Sequence, residues 1–268
     1  MDQRDLRHFH ILKWNEICDY QKGAPLVADI ILQLFSAIAY LHQDKLRLIH
    51  RDIKPDNILI KQIDNFNYLI KLGDLGHARK IPPFEGQPMT ENITTCYYRA
   101  PEVLQNELYS CPIDIWSAGC VLAEILKPAN PSQLYCLFDS SDPKIISQKH
   151  HELDAQTIST KFANTKLPQW KDIDKWGEYF RSILENTLRL NPNERAKAVE
   201  IIQYNPFQML DLTKYEFNEV LESYNEKAED PKKPNDWRMK IYDKLKEFHK
   251  KREEDILTRQ NNESFESF

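Results

Sequence analysis

The spacing of apolar residues changes several times along the chain, and each change marks an element. Within residues 1–16, Leu6, Phe9 and Leu12 fall near one face of a short amphipathic helix. Gly23-Ala24-Pro25 predicts a break. From Leu26 to Leu41 apolar residues run nearly all round the helical circle (Ile30, Ile31, Leu34, Phe35, Ile38, Ala39, Leu41), which predicts a buried helix. Ile58–Lys61 and Tyr68–Leu72 predict two short strands flanking the polar turn Asp64-Asn65-Phe66-Asn67. Residues 77–98 hold Pro82, Pro83, Gly86 and Pro88 without periodicity, so a long loop is expected. A second apolar helix opens at Asp114-Ile115-Trp116, runs to about Leu126 and is ended by Pro128 and Pro131. Residues 129–175 are polar and irregular, and Tyr179–Leu190 predicts another helix. The sum is an α+β fold, predominantly α-helical.

From about Asp211 the character changes, and residues 211–268 form a charged extension distinct from a domain at 1–210. Asp230-Pro231-Lys232-Lys233-Pro234 is a polar break. Asp236 to Leu257 sets Trp237, Met239, Ile241, Leu245 and Phe248 among many charges, which predicts a solvated helix with one apolar stripe. That stripe fits its own domain or a partner helix. Residues 261–268 are expected to be disordered.

Composition narrows the class. The chain has 268 residues, room for one large domain or two modest ones. A net charge of -5 implies no general attraction to nucleic acid. The cysteines (Cys18, Cys96, Cys111, Cys120, Cys136) lack C-x-x-C spacing, which fits reduced thiols in a cytoplasmic or nuclear protein. The first residues do not resemble a signal peptide, and no run reaches the ~18 apolar residues of a membrane span. His8 and His10 stand two apart and would diverge on a helix, so solvated side chains are expected rather than a metal site; His150 and His151 are expected in an exposed loop.

The densest chemistry lies in Ile49-His50-Arg51-Asp52-Ile53-Lys54-Pro55-Asp56-Asn57, just before the apolar run Ile58-Leu59-Ile60. An acid, a cation and an amide fall within six positions, with Pro55 keeping the stretch out of a helix. A carboxylate can take the proton of an attacking hydroxyl, an ammonium can neutralise a moving phosphoryl group, and an amide oxygen can ligate Mg²⁺. Further on, Gly73-Asp74-Leu75-Gly76 adds a second acid.

These segments resemble the serine/threonine protein kinases. Residues 50–57 match the catalytic loop H-R-D-x-K-P-x-N, and Asp74-Leu75-Gly76 resembles D-F-G with leucine for the aromatic. Ala100-Pro101-Glu102 matches the end of the activation segment, Asp114-Ile115-Trp116-Ser117-Ala118-Gly119-Cys120 matches D-x-W-S-x-G-C, and residues 191–198 resemble D-P-x-x-R-x-x-A with Asn191 for the aspartate. Tyr98-Arg99 resembles the CMGC group of cyclin-dependent, mitogen-activated and SR-protein kinases; the subgroup stays open. The resemblance implies Asp52 as the catalytic acid that orients the substrate hydroxyl and Lys54 as the transition-state cation. Asn57 and Asp74 become Mg²⁺ ligands toward ATP, and Thr95 a positioning residue. It implies Thr90 as an activating phosphorylation site whose phosphate pairs with Arg51. It implies structural roles for Asp114, beneath the catalytic loop, and for a buried Glu102–Arg195 ion pair.

The resemblance covers the segments of a C-terminal lobe. A Gly-rich phosphate loop and a strand lysine, which the family's N-terminal β-lobe supplies, have no match among only six glycines. The expectation is therefore a kinase C-terminal lobe with the N-terminal lobe missing. Alone it would bind ATP weakly and phosphorylate little, and its partners would be a protein substrate and an N-lobe polypeptide or regulatory subunit, with neither nucleic acid nor membrane. Two other readings stay open: a lobe-only, pseudokinase-like scaffold, and a different phosphate-handling enzyme using Asp52 and Asp74 as metal ligands.

Overall fold

The computed structural model describes residues 4–19, 22–63, 68–81, 96–127, 138, 140, 142–151 and 174–203. Thr90, Thr95, the turn at 64–67 and the extension at 211–268 lie outside them.

The fold is arranged around one helix. Helix α3 (Gly23–His42) buries Val27, Ala28, Ile30, Ile31, Leu32, Leu34, Phe35 and Ile38. By length and composition it could cross a bilayer, yet 78% of its apolar window is buried inside the protein. Its apolar circumference is explained by neighbours on several sides, among them strand β4 (Tyr68–Leu72), helix α5 (Pro112–Ile125) and helix α8 (Ala198–Ile202). The Gly23-Ala24-Pro25 stretch is not a break but the first turn of α3. Proline is tolerated there because first-turn N–H groups have no intrahelical acceptor.

The opening segment forms β1 (Arg4–Asp5), α1 (Leu6–Leu12) and α2 (Trp14–Ile17) rather than one helix. Asp5 caps α1 by accepting from the His8 N–H at 2.9 Å. Leu6 and Phe9 are buried, but Leu12 points to solvent at 57% exposure. Strand β3 (Ile58–Gln62) pairs antiparallel with β1 and with β4 in the order β1-β3-β4. The outer edge of β4 is covered by α3: Gln33 donates to the Tyr68 carbonyl at 2.9 Å and accepts from the Ile70 N–H at 2.9 Å. A bare strand edge invites foreign pairing, and here a side-chain amide occupies it. A second ribbon pairs β2 (Leu48–Ile49) with β5 (Arg79–Lys80).

Helix α4 spans Pro101–Leu104, α6 Pro143–His151 and α7 Asp174–Thr187. Helix α7 starts five residues earlier than the spacing suggests and stops at Thr187. It packs on α5 at Gly119, where an added Cβ would lie 2.4 Å from Thr187 Oγ1. Only glycine permits that approach.

Two histidine expectations are corrected. His10 is buried and bonds the Lys127 carbonyl through Nε2 at 3.0 Å, because α1 presents it inward while His8 stays exposed. His150 lies within α6, not in an exposed loop. It is fully buried edge-on against Phe138 and Trp116, at centroid distances of 4.2 and 4.8 Å.

Candidate active site

The loop between β2 and β3 carries the first acid, and it is fixed from beneath. Asp114, in the first turn of α5, accepts from the backbone N–H groups of His50 (2.8 Å) and Arg51 (2.9 Å). Its Oδ2 also bonds His42 Nε2 at 2.8 Å, at the end of α3. A carboxylate suits a helix N-terminus. Burial alone would raise the Asp114 carboxyl, but the hydrogen bond and charge of His42, with the donors of the loop, outweigh it and hold Asp114 below the ordinary range. Burial likewise disfavours the charged form of His42, yet its hydrogen bonds to Asp114 and Cys111 raise it to about 9. The loop turns at Arg51, whose φ of 72° is left-handed.

His50 links this loop to the next. Full burial pushes the imidazole down, so it is neutral near pH 7. A neutral ring then donates through Nε2 to the Gly73 carbonyl (2.9 Å) and accepts at Nδ1 from the Asp52 N–H (3.3 Å). The Gly73 N–H in turn donates to the Asn57 carbonyl at 2.8 Å. The two loops are thus stitched through main-chain groups on both sides of the site.

On this frame Asp52 is buried and its Oδ2 accepts from Lys54 Nζ (2.9 Å) and Asn57 Nδ2 (2.8 Å). Asn57 Nδ2 also donates to the Asp52 carbonyl, which aims the amide oxygen away from the acid. Asp74 has a left-handed φ of 56°, and its side chain accepts from the Gly76 N–H at 3.2 Å. Ligand atoms of Asp52, Asp74 and His77 lie within 4.8 Å of one another. Carboxylate oxygens brought together from two loops are donors that a hard cation such as Mg²⁺ takes, so the residues fit that ion.

Below the site Arg195 grips Glu102 with two hydrogen bonds of 2.6 and 2.7 Å, both groups buried. The same guanidinium donates to the Arg189 carbonyl (2.7 Å) and lies 5.0 Å from the Trp116 ring centroid.

The protein kinase domain model matches residues 7–207. This chain belongs to the protein kinase family. It is 31% identical over 214 residues to cyclin-dependent kinase-like 2 of Rattus norvegicus, covering 71% of this chain and 38% of that relative. The chain therefore spans well under half of that relative's length. The domain match opens at residue 7 and does not support the expectation of a C-terminal lobe alone.

In this kinase domain the Arg51 guanidinium lies 5.7 Å from the Tyr109 ring centroid, with the Arg79 charge near it. Thr90 and Thr95 cannot be placed against it, being outside the described residues.

Sequence reasoning missed one kinase-domain element entirely. Arg7 of α1 bonds Asp56 (3.1 and 2.9 Å), Glu124 (2.8 Å) and the Tyr98 hydroxyl (2.9 Å), and Tyr98 donates to Glu124 at 2.6 Å. Burial pushes Glu124 above the usual carboxylate range, with Arg7 and Tyr98 partly opposing. One cation thereby joins the catalytic loop, the residues before Ala100-Pro101-Glu102, and α5. The available signal was a charged residue, Glu124, within the apolar run Cys120–Ile125 of α5.

Proposed function

We propose that the chain is the loop-bearing part of a serine/threonine protein kinase of CMGC type, transferring the γ-phosphate of ATP to a serine or threonine hydroxyl of a protein substrate. The observation that carries this reading is the convergence of Asp52, with Lys54 and Asn57 bonded to it, on Asp74 from the neighbouring loop. Asp52 orients the hydroxyl and receives its proton as the oxygen bonds the γ-phosphorus and the bond to ADP breaks. Lys54, held 2.9 Å from Asp52, sets a positive charge beside the moving phosphoryl group. Asn57 and Asp74 would hold Mg²⁺, which supplies charge neutralisation on the phosphates when bound. Asp114, by fixing the amides of His50 and Arg51, keeps the acid in register.

Arg51 and Arg79 supply positive charge for a phosphate on the activation segment, with Thr90 its site in this reading, and Thr95 would position Asp52 and Lys54. A Gly-rich cover, for which the sequence holds no G-x-G-x-x-G, would come from another segment of polypeptide or a partner subunit. Cytoplasmic or nuclear residence follows the thiol pattern. The likeness to a cyclin-dependent kinase-like protein supports the CMGC assignment.

Radiolabelled phosphate transfer to a generic basic protein tests this. D52N should lower the rate by about 10³-fold or more without changing the thermal midpoint by more than a few degrees. Full activity in D52N, or in D74A, would refute the assignment.

A further inference from the structure

His77 has no part in the mechanism above, yet it stands at its centre. It closes the short turn Leu75–His77 that Asp74 caps, so the acid and the imidazole rise from one turn three residues apart. Across from them lies Asp52, whose Oδ2 is held by Lys54 and Asn57 while a carboxylate keeps its second oxygen. We infer that Asp52, Asp74 and His77 form a mixed nitrogen and oxygen site for a divalent first-row transition ion such as Zn²⁺.

The donor chemistry separates this site from a magnesium site. Mg²⁺ takes oxygen ligands and keeps much of its water, whereas an imidazole nitrogen suits zinc, copper, iron and nickel. Around a tetrahedral ion with bonds of about 2.1 Å, ligand atoms stand about 3.4 Å apart. The three donors here lie within 4.8 Å of one another with nothing bound. Asp74 is exposed and His77 half-buried, so rotation of those two side chains closes the difference while buried Asp52 stays still. The surroundings already hold Asp52 in place through Lys54 and Asn57. Such outer partners orient metal ligands. The remaining coordination positions fall to water, as in open zinc sites. An ion there would occupy the acid that phosphoryl transfer needs, so zinc is expected to inhibit.

The site shares two residues with the kinase reading but requires no nucleotide, and the test uses none. Co²⁺ is titrated into the full chain under reducing conditions and visible absorption followed, with Zn²⁺ then added in competition. The expected result is a d–d spectrum saturating at one equivalent and reversed by Zn²⁺. H77A should weaken Co²⁺ and Zn²⁺ at least tenfold, about 1.4 kcal/mol, with an unchanged circular dichroism spectrum. H77Q serves the same comparison should H77A fold poorly. Equal affinity in wild type and both variants, no saturable absorption, or a thiolate charge-transfer band would each overturn the site. Loss of phosphate transfer in D52N leaves that outcome untouched, and so does a chain that transfers no phosphate at all.

Discussion

Replacing Arg195 with leucine isolates a fully buried, doubly hydrogen-bonded ion pair. The side chain of Arg195 has 0% exposure and that of Glu102 2%, with paired bonds of 2.6 and 2.7 Å. Removing the guanidinium leaves a carboxylate dry and uncompensated, at a cost of about 3–5 kcal/mol. The lost donations to the carbonyls of Arg189, Pro112 and Leu190 add to this. Against a typical domain stability of about 5–15 kcal/mol, R195L should leave a marginal or partly unfolded protein. The thermal midpoint should fall by roughly 6–20 °C, at about 2–4 °C per kcal/mol for a domain of this size. Urea unfolding followed by tryptophan fluorescence measures the loss. The companion E102L/R195L removes both charges, and an apolar replacement of a buried pair is often close to neutral. The double variant should therefore be more stable than R195L, still short by the carbonyl bonds. A single variant costing under 1 kcal/mol, or a double variant as damaged as the two singles summed, would refute the reasoning.

Two histidines should shape the pH dependence in opposite directions. His42 is raised from its ordinary value to about 9, so its stabilisation is complete below about 6.5 and fades as pH rises through 9. H42Q should flatten that alkaline limb in urea titrations. His10 is lowered to about 4 by burial, so its contribution is complete above about 6.5 and is lost as pH falls toward 4; H10Q should flatten the acid limb. G119A should cost about 1–3 kcal/mol by urea unfolding, since its methyl would meet Thr187 at 2.4 Å and 2.9 Å. R7M should leave Glu124 and Asp56 without their shared cation, and faster amide exchange at 54–57 and 96–99 by mass spectrometry is the expected sign. Calorimetric titration of the chain alone with Mg-ATP should show binding weaker than micromolar, since no Gly-rich cover is present in the sequence.

What could be read before the coordinates divides along physical lines. Chemistry packed into a few consecutive positions was legible: Asp52, Lys54 and Asn57 sit together because one short loop holds them. The strands Ile58–Gln62 and Tyr68–Leu72 were legible because apolar runs bounded by a polar turn have few other uses. The nearness of Asp52 to Asp74 and of Glu102 to Arg195 came through motif resemblance, not periodicity. The contacts of Arg7 with residues 49, 91 and 117 positions away leave no local trace. The burial of His10 and His150 was misjudged because an imidazole ring can pack edge-on against aromatic rings, and nothing in the local sequence marks that use. Pro25 was misjudged because a proline at a helix start and one at a helix end look alike in sequence.

The carboxylate beneath the catalytic loop has a consequence for control. Through Asp114 the loop that carries Asp52 is anchored to α3 and α5, and none of those bonds passes through the segment between Asp74 and Ala100. Asp52 is thus a stationary post. On the proposed kinase reading, a switch would act by bringing the nucleotide, the substrate or the opposing metal ligand to that post, and agents that reorder the neighbouring segment should alter occupancy around Asp52 while leaving its own main chain undisturbed.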